Sequence, residues 1–310
     1  MQKAPAPAGA FFCTLPPLWP FSFFPVRWPG RGADGLPAQA FSGMRRNRIR
    51  SCGVSCEFFP EKAGTEDDGM MENVQNLQER PYVVCHMAMS LDGRVTGDFL
   101  RESRCASALQ AYYRINRDYA AGAFACGRVT MEESFTHAFR PDLFRFREAV
   151  IPPMDHVADE NASFFAVAFD RHGSLGWKGP RIEDDDPGYG GAHIIEVLCE
   201  GVPQACLAYL QEVGVSYIFA GKDDIDLPLA LHKLKSIFGI RKLLLEGGSL
   251  LNGSFLRADL VDELSIVQVP VTGNAQDKSL FDRGVTAFFR LEEMERLEDG
   301  AAWLRYRRAR

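Results

Sequence analysis

From Pro81 onward, short apolar or β-branched runs alternate with segments of helical periodicity, and this alternation restricts the fold more than any other feature. PYVVCHMAMSLDGRV begins with a strand-like run closed by the turn residues Asp92 and Gly93. Ser103 to Ala120 has helical spacing behind a serine, AGAFACG from Ala121 reads as a short buried strand, and a helix restarts over Gly127 to Thr136. FFAVAFD (164–170) and AHIIEVLC (192–199) are two further buried strands. The second half is more regular: PQACLAYLQEVG is a helix with Pro203 in its first turn, VSYIFAG a strand, LPLALHKLKSIFG a helix and IRKLLLEGG a strand. A helix over Ser249 to Ala258 and the strand VDELSIVQVPV follow. Strands joined by helices of this length pair in parallel and carry helices on both faces. The end departs from this, because TAFFRLEEMERL and AAWLRYRRA flank Glu298-Asp299-Gly300 and predict an antiparallel hairpin. Its apolar positions Phe289, Leu291, Met294, Leu297, Trp303, Leu304 and Tyr306 are expected to pack on the core rather than extend an interface.

The first seventy residues lack such patterning. They hold nine of the eighteen prolines and the basic patch RRNRIR at Arg45 to Arg50. The apolar part from Ala8 to Val26 contains Pro16, Pro17, Pro20 and Pro25, which would break a membrane helix. Residues 1–70 are expected to be an over-predicted start or translated upstream sequence, disordered if made, in preference to a native disordered extension or, less favoured still, a transit peptide. Met70 and Met71 stand just before the patterned part, and 71–310 is expected to be the catalytic domain. A net charge of -6 without a long Lys/Arg run argues against nucleic acid as the main partner and for small molecules. The eight cysteines are scattered without CxxC pairs, which favours reduced, buried thiols in a cytoplasmic protein over a disulfide or zinc framework. The acidic loop RIEDDDPGYGGA reads as solvated rather than metal-binding.

Two strand-to-helix turns could carry chemistry. In LLLEGGSLLNGSFLRADLVDEL, Gly247 and Gly248 lack side chains, so backbone can lie against an anionic group while the amides of Ser249, Leu250 and the following residues point at phosphate oxygens. A tight structural turn is the competing reading, since neither GxGxxG nor GKS/GKT is present. Gly127-Arg128-Val129-Thr130 also follows a buried strand and opens a helix, and two such turns could hold one pyrophosphate without a lysine.

Taken together and in this order, PYVVCHMAMSLDGRV, ACGRVT and LLLEGGSLLNGSFLRADLVDEL resemble the pyrimidine reductase family of riboflavin biosynthesis, the C-terminal domain of the deaminase/reductase. The resemblance covers about residues 80 to 310. It implies a dihydrofolate-reductase-like α/β fold: a three-layer sandwich with a mostly parallel central sheet and a C-terminal antiparallel hairpin. It also implies a homodimeric, NADPH-dependent oxidoreductase that converts 5-amino-6-(5-phosphoribosylamino)uracil by hydride transfer, with neither metal nor membrane involved.

Position by position, the resemblance implies that Gly247, Gly248, Ser249, Leu250, Leu251, Asn252 and Gly253 line the cofactor phosphates, with Gly127 and Thr130 as further contacts. Ala88 would lie beside the nicotinamide, and Arg171 with His172 near a 2′-phosphate. Glu246 matches a substrate-side carboxylate, and Glu246 and Asp92 are the candidate catalytic acids. Ser103 and Arg117, with Arg114 as the alternate, match the pair that holds the substrate phosphate, a task suited to a guanidinium fork.

The sequence also departs from that family. It has no HxE and PCxxC zinc signature, so a deaminase is not expected. MEESFTHAFRPD replaces the usual Asp-Asp-Pro or Asp-Asn-Pro element after Thr130, and His86 stands where lysine or asparagine is frequent. A buried, hydrogen-bonded histidine is expected at that position. Residues Trp177 to Gly191 look like an insertion able to cover the pocket. A pterin, folate-like or other small carbonyl substrate, or a nucleotide-binding protein without turnover, are the alternative functions.

Overall fold

Nine strands form one sheet in the order β5-β4-β3-β2-β6-β1-β7-β9-β8. The computed structural model describes residues 79–310, so the expectations for residues 1–70 lie outside the described residues. β1 (Tyr82–Met89) pairs in parallel with both β6 (Lys242–Leu245) and β7 (Glu263–Gln268). β2 (Ala123–Gly127), β3 (Phe165–Phe169), β4 (His193–Leu198) and β5 (Ser216–Phe219) extend the parallel part on the other side of β6. β9 (Ala302–Arg308) runs antiparallel to β7 and to β8 (Phe289–Arg296), as the terminal turn predicts.

Alternate side chains of each strand serve opposite layers. Val83, Cys85 and Met87 of β1 join a core with α4 (Leu227–Phe238) and α5 (Ser249–Arg257). On the other face, Val84 packs with α3 (Gln204–Val213), while Ala88 packs with α1 (Ala106–Asp118). This is the three-layer, dihydrofolate-reductase-like arrangement. Local sequence sets the helix ends. Asp226 caps α4 by accepting from the Leu229 amide at 2.9 Å, and Gly214 and Gly239 end α3 and α4 at φ 76° and 68°. The helix expected over Gly127 to Thr136 is shorter than its periodicity suggests: α2 (Arg128–Met131) passes into a wider turn over Glu132–Thr136.

The edge strand corrects one expectation. Leu291 and Met294 are 48% and 69% exposed, because among the described residues β8 has a neighbour on one side alone and no helix covers it. Trp303, by contrast, packs against the α1 core and donates to Ser265 at 2.8 Å. Cys85, Cys105, Cys126, Cys199 and Cys206 are buried free thiols.

Candidate active site

In open parallel sheets, ligands gather at the carboxyl ends of strands where connections leave in opposite directions. Here those ends belong to β1, β2 and β6. β2 leads away toward β5, and β6 returns to lie between β2 and β1. A cavity opens at this point, walled by Met87 and Ala88 of β1, Thr130 of α2 and Glu246 beyond β6. Leu109, Tyr112 and Tyr113 of α1 form a largely apolar side, and Arg101 contributes a cation.

The two glycine turns abut. The Gly127 amide donates to the Gly247 carbonyl at 2.8 Å, and the Gly247–Gly248 peptide is cis. Gly247 has φ +106°, a region that disfavours any side chain. A Cβ on Gly248 would stand 3.3 Å from the Thr130 hydroxyl oxygen, and one on Gly127 would stand 3.8 Å from the Gly248 nitrogen. Gly248 is the N-cap of α5, so the first amides of that helix lack intrahelical acceptors beside this bare surface. A phosphate-bearing nucleotide fits such a cradle.

The cradle uses fewer side chains than the motif implies. The Ser249 hydroxyl donates to the Ser279 carbonyl, and Asn252 donates to the Leu280 carbonyl at 3.2 Å. A Cβ on Gly253 would collide with the Asp282 carbonyl. Asn252 and Gly253 thus pack the inward side of α5 against residues 280–282. Leu250, at the helix start, is 66% exposed.

Glu246 is 4% exposed, and its Oε1 accepts from Asn116 Nδ2 at 2.8 Å. Burial pushes its carboxyl up to about 7, against the opposing pull of hydrogen-bonding groups on Asn116, Tyr189 and Tyr112. Its Oε2 is buried without a hydrogen-bond partner of good geometry. A carboxylic acid poised near neutrality in an apolar cavity can hold or release a proton there.

Asp92 does not share that character. Ser90 donates to it at 2.6 Å and the Gly273 amide at 2.8 Å, and these bonds hold its carboxyl below the usual range in a solvent-facing turn. It joins the end of β1 to the segment near Gly273 as a charged acceptor.

The residues expected to hold the substrate phosphate lie on α1 and just before it. Arg117 is bound to Asp186 at 2.6 Å, Arg114 pairs with Asp118 at 3.2 Å and Glu295 at 3.8 Å, and Ser103 is an exposed start of a short helical turn. Arg101, at the end of the turn Asp98–Arg101, lines the cavity. Among the described residues Arg101 has no ion pair. A basic residue on an irregular turn carries no periodic signal, so the sequence does not single it out. Arg171 lies beyond β3, where it donates to His172 at 2.9 Å and pairs with Asp224 at 3.4 Å. His86 is fully buried, bonded to Ser265 and to the Tyr112 carbonyl, and stacked on Tyr112 at 4.3 Å, as expected of a core histidine.

A family model described as the RibD C-terminal domain matches residues 194–303. The 2,5-diamino-6-ribosylamino-4(3H)-pyrimidinone 5′-phosphate reductase of Methanothermobacter thermautotrophicus is 27% identical over 205 residues, 66% of this chain and 84% of the relative. The enzyme of the same name from Archaeoglobus fulgidus is 24% identical over 230 residues, 72% and 96% of the two chains. Among solved structures, Acinetobacter baumannii RibD superposes with a TM-score of 0.51 at 21% identity, over 78% of this chain and 61% of that one. The riboflavin biosynthesis reductase of Saccharomyces cerevisiae gives 0.51 at 17% identity, over 77% and 99%. At these identities the structural likenesses show the fold.

Proposed function

We propose that this chain is a RibD-type reductase that carries out an NADPH-dependent reduction of a phosphorylated ribosylamino-pyrimidine. The observation that carries this reading is one cavity in which the end of β1, the paired glycine turns with Thr130, and a buried carboxyl meet. When bound, the nicotinamide supplies a hydride to an electrophilic carbon of the substrate. The chain's own residues hold, orient and exclude water.

The amides of Ser249, Leu250 and Leu251, with the Thr130 hydroxyl beside Gly248, would hold the cofactor phosphates, and the backbone at Ala88 would lie along the nicotinamide. Tyr112, Tyr113 and Leu109 close the apolar side against water. Glu246, half protonated near neutral pH, would keep a proton at its free oxygen for the substrate. Arg101 would take the substrate phosphate through its unpaired guanidinium. Arg171 and His172 are the proposed contacts for a cofactor 2′-phosphate, favouring NADPH over NADH.

The 2,5-diamino-pyrimidinone is the first substrate to test because both aligned relatives carry that name, with the corresponding uracil as the comparison. The reductase domain is assigned to residues 71–310. No helix among the described residues is long and apolar enough to cross a membrane, and the buried free thiols support a cytoplasmic setting. The exposed apolar positions of β8 support a homodimer. Purified protein should consume NADPH with the diamino substrate, and absence of consumption despite tight NADPH binding would favour a different acceptor.

A further inference from the structure

The connection from β3 to β4 has no helix of its own, yet it is tied at several points. The Asp170 carboxylate accepts from the amides of Ser174 and Leu175 at 2.5 and 2.8 Å. Trp177 donates to Glu196 at 2.5 Å, and its carbonyl accepts from the Tyr209 phenol. Arg181 holds Asp159 at 2.6 Å and the Gly191 carbonyl at 2.8 Å. A segment so fixed presents its remaining side chains in set positions.

What it presents is a grip on the last turn of α1. Asp186 takes Arg117 at 2.6 Å, and Gly188 lies so close to the Asn116 side-chain oxygen that a Cβ there would collide with it. Tyr189, 2% exposed, packs edge-on against Phe124 at 5.0 Å, and its phenol oxygen lies 3.4 Å from Asn116 Nδ2. The amide group of Asn116 is oriented by these neighbours, with its nitrogen facing two acceptors, Tyr189 and Glu246.

We propose that Asn116 and Tyr189 are positioning residues through which segment 171–191 anchors one oxygen of Glu246 and leaves the other for the substrate, and so sets when Glu246 holds its proton. This rests on the reading of Glu246 as the proton-handling group. The other titratable groups facing Glu246 are Tyr112 and Tyr113 of α1, Cys85 of β1, Cys126 of β2, and Asp186, whose charge is met by Arg117. Burial raises the two phenols and two thiols, so they stay neutral around pH 7. The anchoring amide donates to the carboxylate form, so its removal favours the acid.

The test compares wild type, Asn116→Ala and Tyr189→Phe by two readouts. One is the ¹³C-carboxyl titration of Glu246 in cofactor-free protein, assigned with Glu246→Gln. The other is the pH dependence of kcat with NADPH and 2,5-diamino-6-ribosylamino-4(3H)-pyrimidinone 5′-phosphate. Asn116→Ala should raise the carboxyl midpoint and the basic limb of kcat together, by about one pH unit, and Tyr189→Phe by less. Tyr189→Phe keeps the ring packing and serves if Asn116→Ala fails to fold. A carboxyl midpoint that stays at the wild-type value in the folded variants overturns the proposal. A midpoint that moves while the kcat limb does not upholds the anchoring and sinks instead the assignment of Glu246 as proton donor.

Discussion

The Gly127 amide donates to the Gly247 carbonyl at 2.8 Å, so the turn after β2 and the turn after β6 are bonded to each other. The bond makes one surface of two segments more than a hundred residues apart. It places Thr130 and the start of α5 side by side without a charged residue between them.

Filling that surface should cost cofactor affinity before it costs the fold. In Gly248→Val the new side chain would begin 3.3 Å from the Thr130 hydroxyl oxygen and occupy the space assigned to phosphate. The NADPH Kd should rise at least about tenfold, which is about 1.4 kcal/mol, with the circular dichroism spectrum kept. Fluorescence titration checks this, and unchanged affinity would refute the cradle.

Arg101 and Arg114 should separate cleanly. Arg101→Ala removes the cavity cation, and a lost charge-assisted bond of about 1.5–3 kcal/mol corresponds to a KM increase of roughly 10- to 150-fold for the phosphorylated substrate. The KM for its dephosphorylated counterpart should stay near the wild-type value. Arg114→Ala, whose partners are Asp118 and Glu295 on the outer face, should leave both constants within a few fold.

Two buried groups give the domain opposite pH dependences. The Glu246 acid is raised from 4.5 to about 7, so its contribution is complete below pH 4.5 and is lost as pH rises through 7. His86 is lowered from 6.5 to about 4 by burial, so its contribution is complete above pH 6.5 and is lost as pH falls through 4. Between pH 4.5 and 6.5 the two slopes oppose. Glu246→Gln should therefore gain about 3 kcal/mol relative to wild type between pH 4.5 and pH 8, read by denaturant unfolding at each pH. A constant difference across that range would mean that the carboxyl is not shifted.

Asp92 offers a contrast with Glu246. Asp92→Asn should leave the pH dependence of kcat unmoved, because a carboxylate held ionised by Ser90 and the Gly273 amide does not titrate in the working range. A displaced basic limb in this variant would return Asp92 to the reaction.

The sheet was legible because most strands are short apolar or β-branched runs and most crossovers, though not that from β3 to β4, carry a helical period. FFAVAFD and VSYIFAG could hardly be read otherwise. The glycine turns were legible for a related reason, since Gly247 has a backbone angle that side chains avoid. What escaped was direction. Asn252 and Gly253 face residues 280–282, and Arg117 is claimed by Asp186 from the β3–β4 connection, contacts that their local motifs do not state. Tyr189 and Asn116 lie 73 residues apart in the chain, and no local pattern announces that they meet at Glu246. The exposed Leu291 and Met294 show the same limit, since alternation marks a face without saying what covers it.

The most direct measurement is stopped-flow absorbance at 340 nm with purified protein, NADPH and 2,5-diamino-6-ribosylamino-4(3H)-pyrimidinone 5′-phosphate, with product identified by mass spectrometry. The account predicts stoichiometric NADPH loss and a product heavier by two hydrogens, both slowed in Gly248→Val when NADPH is below its raised Kd. NADPH binding at the cradle with no turnover of this substrate or its uracil counterpart would contradict it.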